Sequence, residues 1–253
     1  MSEPSVPIIT VDGPVASGKG TVARLVAEAL GFHLLDSGAI YRAHAHACLS
    51  RKIDFNEINV LEEQAKALSL KFIGEEVWVD GVEASAAVRS EAVGMAASTL
   101  SAIPQVRAAL MQRQRDFAQL PGLVADGRDM GTVVFTDATL KIYLTTTAHV
   151  RAARRAGQVA RQRLLAGEQM DAKLLIEKGK SPTIVSLLET IQAQVQPDVE
   201  QQIRLRDTQD KSRAVAPLKP AVDAIVIDNA DHSPEETVDV VLSLWKLWNL
   251  RRH

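Results

Sequence analysis

Gly13-Pro14-Val15-Ala16-Ser17-Gly18-Lys19-Gly20-Thr21 follows an apolar run, Pro7 to Val11, and opens an amphipathic one, Thr21 to Leu30. Strand, glycine loop and helix in that order are the setting that a phosphate-binding loop requires. The glycines let backbone N–H groups turn inward around a polyphosphate, the helix adds its positive dipole end, and Lys19 supplies a mobile ammonium. The stretch predicts binding of a nucleoside triphosphate. It departs from the full pattern at one position: Ser or Thr should follow the lysine, whereas Gly20 stands there and Thr21 comes one later.

Outward from this loop, five short apolar runs punctuate the chain: Ile8 to Val11, His33 to Leu35, Leu123 to Ala125, Leu140 to Leu144 and Ala224 to Ile227. Asp12, Asp36, Asp126 and Asp228 close four of them and Thr145 the other. Near-continuous apolar strands separated by helical patterns predict a parallel sheet covered on both faces, with ligands at the carboxyl ends of the strands. The polar residues at those ends are where chemistry is expected. About 85 residues separate the second run from the third, too many for a single crossover helix. Within them Leu70 to Ile73 and Val77 to Val79 alternate like strands, and Asp80-Gly81 signals a turn before Val82, so a small antiparallel sheet is expected. Helical periodicity resumes from Ser90 to Ser101 and, after Pro104, from Val106 to Leu120. The charged, glutamine-rich stretch from Ala156 to Gln202 predicts mobile helices, with start signals at Ser181-Pro182 and Pro197-Asp198. Ser233-Pro234-Glu235-Glu236 is a capping box, and the Val238, Val241, Leu242, Trp245, Trp248 face behind it predicts docking onto the core.

The chain has 253 residues, enough for one large α/β core with inserts. Its 29 Lys and Arg against 31 Asp and Glu create no global field for nucleic acid or an anionic membrane, so polyanion binding must be local. No run of about 18 apolar residues occurs, and Met1-Ser2-Glu3-Pro4 is polar and short, so a cytoplasmic protein is expected. The lone Cys48 lies on an apparent helix, Tyr41 to Leu49, where a packed thiol is expected rather than a nucleophile. His44 and His46 on the same helix are expected to pack or face solvent.

Three further polar clusters follow strands or helices: Asp36-Ser37-Gly38-Ala39-Ile40-Tyr41-Arg42, then Ala125 to Phe135 with Asp126-Gly127-Arg128-Asp129-Met130-Gly131 at its head, then Arg204-Leu205-Arg206-Asp207 through Asp210 to Ser212-Arg213-Ala214-Val215-Ala216-Pro217-Leu218. With the glycine loop, they resemble the bacterial cytidylate kinases over Pro7 to about Asp228. The resemblance implies an α/β phosphate-loop kinase core with a five-stranded parallel sheet, a nucleoside-monophosphate-binding insert containing a small antiparallel sheet, and a helical lid. Core segments 1–62, 104–150 and 207–253, insert 63–103 and lid 151–206 are the boundaries it suggests. It implies transfer of the γ-phosphoryl group of ATP to CMP or dCMP, assisted by Mg2+, by a monomer that binds neither nucleic acid nor membrane. Glycine after the lysine is usual in that family, where phosphates and waters hold most of the metal.

By the same resemblance, Gly13, Pro14, Val15, Ala16, Ser17, Gly18, Lys19, Gly20 and Thr21 bind ATP, with Arg151 near adenine. Lys19, Arg128 and Arg155 act on the transferring phosphoryl group. Phosphoryl transfer asks the protein for positioning and charge neutralisation, so arginines and one lysine should dominate the site. Ser37, Arg42, Arg128 and Arg213 fall to the CMP side, the arginines gripping its phosphate with forked donors. Ser98, Arg107 and Asp129 surround cytosine; a carboxylate accepts from its exocyclic amine, whereas uracil would meet Asp129 acceptor to acceptor. Arg206 and Asp210 are matched to the sugar, and Asp126 to the metal through water. Arg154 beside Arg155 leaves a one-residue shift open. The lid is longer than the compact form. Two other readings remain open: a phosphate-loop kinase for a different monophosphate or small hydroxyl substrate, and a nucleotide-sensing module without turnover.

Overall fold

A computed structural model describes residues 6–73, 76–166 and 183–250. The five apolar runs are the strands β1 (Ile8–Asp12), β2 (His33–Asp36), β6 (Leu123–Gly127), β7 (Leu140–Thr145) and β8 (Ile225–Asp228). They form one sheet in the order β2-β6-β1-β7-β8, every pair parallel. The register sets Asp36 beside Asp126, Asp12 beside Gly127 and Asp228 beside Thr145, so the strand-closing polar residues share one edge. Both faces are covered, which is why these strands carry apolar residues at consecutive positions. On one face Ile9, Val11, Val124, Ile142 and Leu144 pack against α1 (Lys19–Leu30) and a C-terminal helix, Pro234–Leu250. On the other, Leu35, Leu123 and Ala125 pack against α2 (Ser37–Ser50) and the helices that follow it. Full burial of an Ile or Leu side chain of this kind contributes roughly 2 kcal/mol.

Between β2 and β6 run α3 (Ile58–Ala67), β3 (Leu70–Ile73), β4 (Glu76–Val79), β5 (Val82–Glu83), α4 (Ser85–Arg89), α5 (Glu91–Leu100) and α6 (Pro104–Arg115). The three strands form the expected antiparallel sheet, with Val79 paired to Val82 across Asp80 and Gly81. Both turn residues have positive φ, 51° and 82°, the primed geometry that an Asp-Gly pair favours. Ser90 caps α5 by accepting from the Val93 N–H. Helix α6 stops at Arg115, five residues before the expected Leu120: Phe117 and Ala118 already bond three residues back, and the chain must swing to bring Leu123 beside Pro7.

After β7, α7 (Ala148–Leu165) and α8 (Ile184–Ser212) lie antiparallel. Ala152, Ala156 and Ala160, four residues apart, receive Ile191, Val195, Val199 and Ile203, also four apart. Small side chains on one helix let the larger ones of the other approach closely. The expected helix start at Pro197-Asp198 is not one: Pro197 lies inside α8. Its ring and Ala193, whose carbonyl loses a partner, both face solvent, so the apolar stripe carries the helix through the proline. Helix α8 starts at the capping box of Thr183 and Ser186; the predicted start at Ser181-Pro182 lies outside the described residues.

The C-terminal helix, α9 (Pro234–Leu250), is capped as expected, Ser233 and Glu236 exchanging hydrogen bonds of 3.1 and 2.8 Å. Trp245 docks edge-on against Phe32 and stacks on Trp248. His44 and Cys48 are buried on α2, His44 beside the Leu61 carbonyl, and burial pushes the Cys48 thiol up to about 11. The thiol is packed, not poised for attack. Among the described residues, no helix is long and apolar enough to cross a membrane.

Candidate active site

The phosphate loop leaves β1 at Gly13, where an added Cβ would lie 2.3 Å from the Leu144 carbonyl oxygen, and enters α1 at Gly18 with φ 87°. No side chain caps α1, so its first N–H groups remain for an anion. Lys19 opens the helix and reaches the Pro14 carbonyl at 3.3 Å. Burial, and next the charge of Arg128, push its ammonium down to about 8. Opposite it, burial pushes the Asp126 carboxyl up to about 7, with Lys19 pulling it back. Asp126 also accounts for Gly20. A Cβ there would sit 3.1 Å from Asp126 Oδ2, so the position that usually carries a hydroxyl is crowded by the β6 carboxylate.

Asp126 Oδ1 is buried without a hydrogen-bond partner, a polar atom that suits a water held by a metal. Among the described residues no group of three or more His, Cys, Asp or Glu could ligate a metal ion directly. The side chains therefore fit a cation carried by phosphates and waters.

A cleft of about 650 Å³ opens from the loop across the strand ends toward the insert. Lys19, Ser37, Arg42, Ser98, Arg107, Asp126, Arg128, Asp129, Arg206, Asp210 and Arg213 all line it. Ser37 donates to the Asp126 carbonyl at 2.8 Å. Arg42 reaches from α2 to the carbonyls of Val88 and Ser90. Arg107, on α6, pairs with Asp129, donates to the Ser101 carbonyl and lies over the Tyr41 ring. Burial raises the Asp129 carboxyl, and Arg107 opposes that shift. Asp210, on α8, takes Arg128 at 3.0 Å and also pairs with Arg213, which donates to Ser101 Oγ. Ser98 Oγ donates to Gln209 of α8 at 3.3 Å.

Arg151, Arg154 and Arg155 stand apart from this lining. Arg151 is 4 % exposed and lies beneath the phosphate loop, donating to the carbonyls of Val15 and Thr146 and, from both terminal nitrogens, to Asp207. Arg154 donates to the Asn229 side chain and to the Asn229 and Ala230 carbonyls after β8. Arg155 crosses instead to Glu91 on the insert at 3.5 Å, and Arg206 reaches the same carboxylate at 3.6 Å. The two adjacent arginines thus face different walls.

Residues 9–177 and 187–247 match the family model described as cytidylate kinase. The chain belongs to the cytidylate kinase family. It is similar to the cytidylate kinase of Cupriavidus pinatubonensis, 45% identical over 237 residues, which cover 94% of this chain and 95% of that one. The cytidylate kinase of Bordetella bronchiseptica is 45% identical over 242 residues, covering 96% of each chain. That of Burkholderia vietnamiensis is 46% identical over 240 residues, 95% of this chain and 93% of its own. Residues 178–186, which the family model leaves unmatched, fall in the stretch where a lengthened lid is expected. The chain is thus a phosphotransferase of the nucleoside monophosphate kinase type.

Four residues that shape the site receive no role of their own from the sequence. Asp12 accepts from the N–H groups of Met130 and Gly131, Asp207 holds Arg151, Glu91 holds Arg155 and Arg206, and Asn229 donates to the Ser17 carbonyl while accepting from Arg154. Asp12 closes an apolar run and Asp207 stands inside a polar cluster, but neither position shows what it holds; Asn229 could have been found by reading one residue past β8, and Glu91 looks like an ordinary helix charge.

Proposed function

We infer that this cleft transfers the γ-phosphoryl group of ATP to the phosphate of CMP or dCMP, giving ADP and CDP or dCDP. The observation that carries the reading is the meeting, in one cleft, of a phosphate loop with Lys19 and a buried Arg107–Asp129 pair that can read a base edge. The loop residues 13–21 hold the triphosphate on α1's free N–H groups, and Lys19 follows the γ-phosphoryl group as it moves. Arg42, Arg128 and Arg213 take the acceptor phosphate. Asp210 pairs with two of them, so phosphate entry exchanges one anion for another instead of desolvating bare guanidiniums. An oxygen of the acceptor phosphate attacks the γ-phosphorus in line while the bond to the β–γ bridging oxygen breaks; the positive side chains offset the charge spread over the three equatorial oxygens.

Asp129 accepts from the cytosine amine, with Arg107 and Ser98 donating to the ring's acceptor edge, and Arg206 and Asp210 face the ribose. Mg2+ would be held by the triphosphate and, through water, by Asp126 Oδ1, and when bound it neutralises phosphate charge. Arg155, paired with Glu91 on the insert, serves the transferring group; Arg151, on the Val15 carbonyl of the phosphate loop, lies on the adenine side, and Arg154 holds the residues after β8. The lid, 151–206, moves as the α7–α8 pair over the core segments 1–62, 104–150 and 207–253 and the insert 63–103. A monomer in the cytoplasm suffices, since every group named comes from one chain.

The test is an acceptor panel of CMP, dCMP, UMP, AMP and shikimate in a coupled ADP assay. CMP and dCMP should turn over, UMP poorly, AMP and shikimate at background. A preference for AMP or shikimate overturns the base assignment, and background rates throughout leave a binding module.

A further inference from the structure

Asp12 sits at the end of β1, immediately before Gly13 of the phosphate loop and level with Gly127 of β6. Its carboxylate is 5 % exposed and accepts from the Met130 and Gly131 N–H groups at 2.8 Å each, one per oxygen. Those two peptides follow Asp129 and begin a single π-helical turn, Met130–Val134, whose last N–H groups close back on the Asp129 carbonyl. Successive N–H groups pointing into one concavity are an anion receptor, filled here by the protein's own side chain. The other contacts of the turn leave it little room: a Cβ on Gly131 would lie 2.9 Å from Thr10 Oγ1, and one on Gly127 would lie 2.7 Å from Met130 Cγ and from Ser37 Oγ. A carboxylate is the one side-chain group of this size that offers each N–H group an acceptor oxygen of its own.

We propose that Asp12 is a positioning residue for base selection: by clamping the Met130 and Gly131 peptides to β1, it sets the angle at which Asp129 meets Arg107 and the incoming base. This rests on the reading of Asp129 as the base acceptor. It also makes β1 the common anchor of both nucleotide sites, the donor loop through its backbone and the base reader through its side chain.

Asp12→Asn keeps the size but turns one acceptor into a donor that faces a peptide N–H, so the turn loses one of its two ties. In the full chain, the CMP to UMP ratio of kcat/KM should fall about five- to tenfold, while the KM for ATP stays within about twofold. General weakening of the fold would slow both acceptors alike and leave the ratio unmoved. Asp129→Asn should lower the same ratio, and the double variant should fall no further than Asp129→Asn alone, because Asp12 acts through Asp129. If Asp129→Asn leaves the ratio unchanged, the base reading fails and this proposal with it. If Asp129→Asn lowers it and Asp12→Asn does not, the proposal alone is overturned. Should Asp12→Asn not fold, Gly131→Ala tests the contact from its other side, since the added Cβ must push the amide away from β1, and an unchanged ratio there overturns the proposal equally.

Discussion

The cations on the two sides of the cleft keep different company. On the donor side, Lys19 holds the Pro14 carbonyl, and Arg154 holds the carbonyls of Asn229 and Ala230. On the acceptor side, Arg107 is paired with Asp129, Arg128 and Arg213 with Asp210, and Arg155 and Arg206 with Glu91. Arg151, which adds Asp207 to its carbonyls, and Arg42, which has carbonyls alone, cross the pattern. A carbonyl satisfies a donor without cancelling its charge, whereas a carboxylate cancels it. The donor loop therefore stays positive for a triphosphate, and the acceptor wall starts near neutral and must trade partners. In the proposed reaction the first ligand would be drawn in by field, and the second would have to compete.

The strongest way to break this contrast is at Lys19. Lys19→Met should lower kcat at least about a hundredfold with the far-ultraviolet circular dichroism unchanged, because the ammonium counts mainly in the transition state. Turnover within threefold of the parent would mean that the donor side does not depend on this charge. The same ammonium should be visible in binding. Its value of about 8 lies below that of an ordinary lysine, and an arriving polyanion raises it, so binding must take up protons where the group is partly neutral. Calorimetry of metal-free ATP at pH 8 in two buffers of different ionisation enthalpy should show net proton uptake, smaller in Lys19→Met, where only the Asp126 carboxyl opposite it is left to take up a proton. No buffer dependence at pH 8 would remove the lowered lysine from the account.

Next in size is Asp207→Ala, which strips a nearly buried guanidinium of its only carboxylate among the described contacts while leaving its carbonyl partners. Urea melts should show a loss of about 2 kcal/mol. A loss under about 0.5 kcal/mol would place Arg151 with the arginines that trade partners freely. Smallest is Glu91→Gln. Its two pairs are long and its side chain is partly exposed, so stability should hardly move. Removing the competitor should instead lower the KM for CMP about twofold with kcat near the parent value. A raised KM would show that Glu91 orders the arginines instead of occupying them.

Most of the frame was legible because it is written in consecutive residues. Each apolar run closed by an acid is a strand, and the in-register sheet brings those acids level without further information. The Asp80-Gly81 turn and the Ser233 cap follow from backbone chemistry over four residues. Where the reading strayed, tertiary packing outweighed a local rule: Pro197 did not start a helix because the stripe from Ile191 to Ile203 had a partner surface on α7. The partners of the cations were not legible at all. Arg151 and Asp207 are 56 residues apart, Arg155 and Glu91 64, Arg154 and Asn229 75, and nothing local marks these carboxylates and this amide among the many in the chain. The resemblance could place Arg151 on the ATP side, but its seat at the Val15 carbonyl depends on where α8 brings Asp207.

Adjacent positions on an α-helix point about 100° apart, and α7 uses that angle to face two ways at once. Arg154 is fastened to Asn229, whose amide in turn grips the Ser17 carbonyl of the phosphate loop, and Arg155 leans across to Glu91 on the insert. A roll of α7 about its own axis cannot tighten both grips: it draws in one as it lets out the other. The helix is a balance beam with the donor loop on one pan and the insert on the other. In the proposed reaction, whichever nucleotide loaded its pan first would set the tilt that the second one meets.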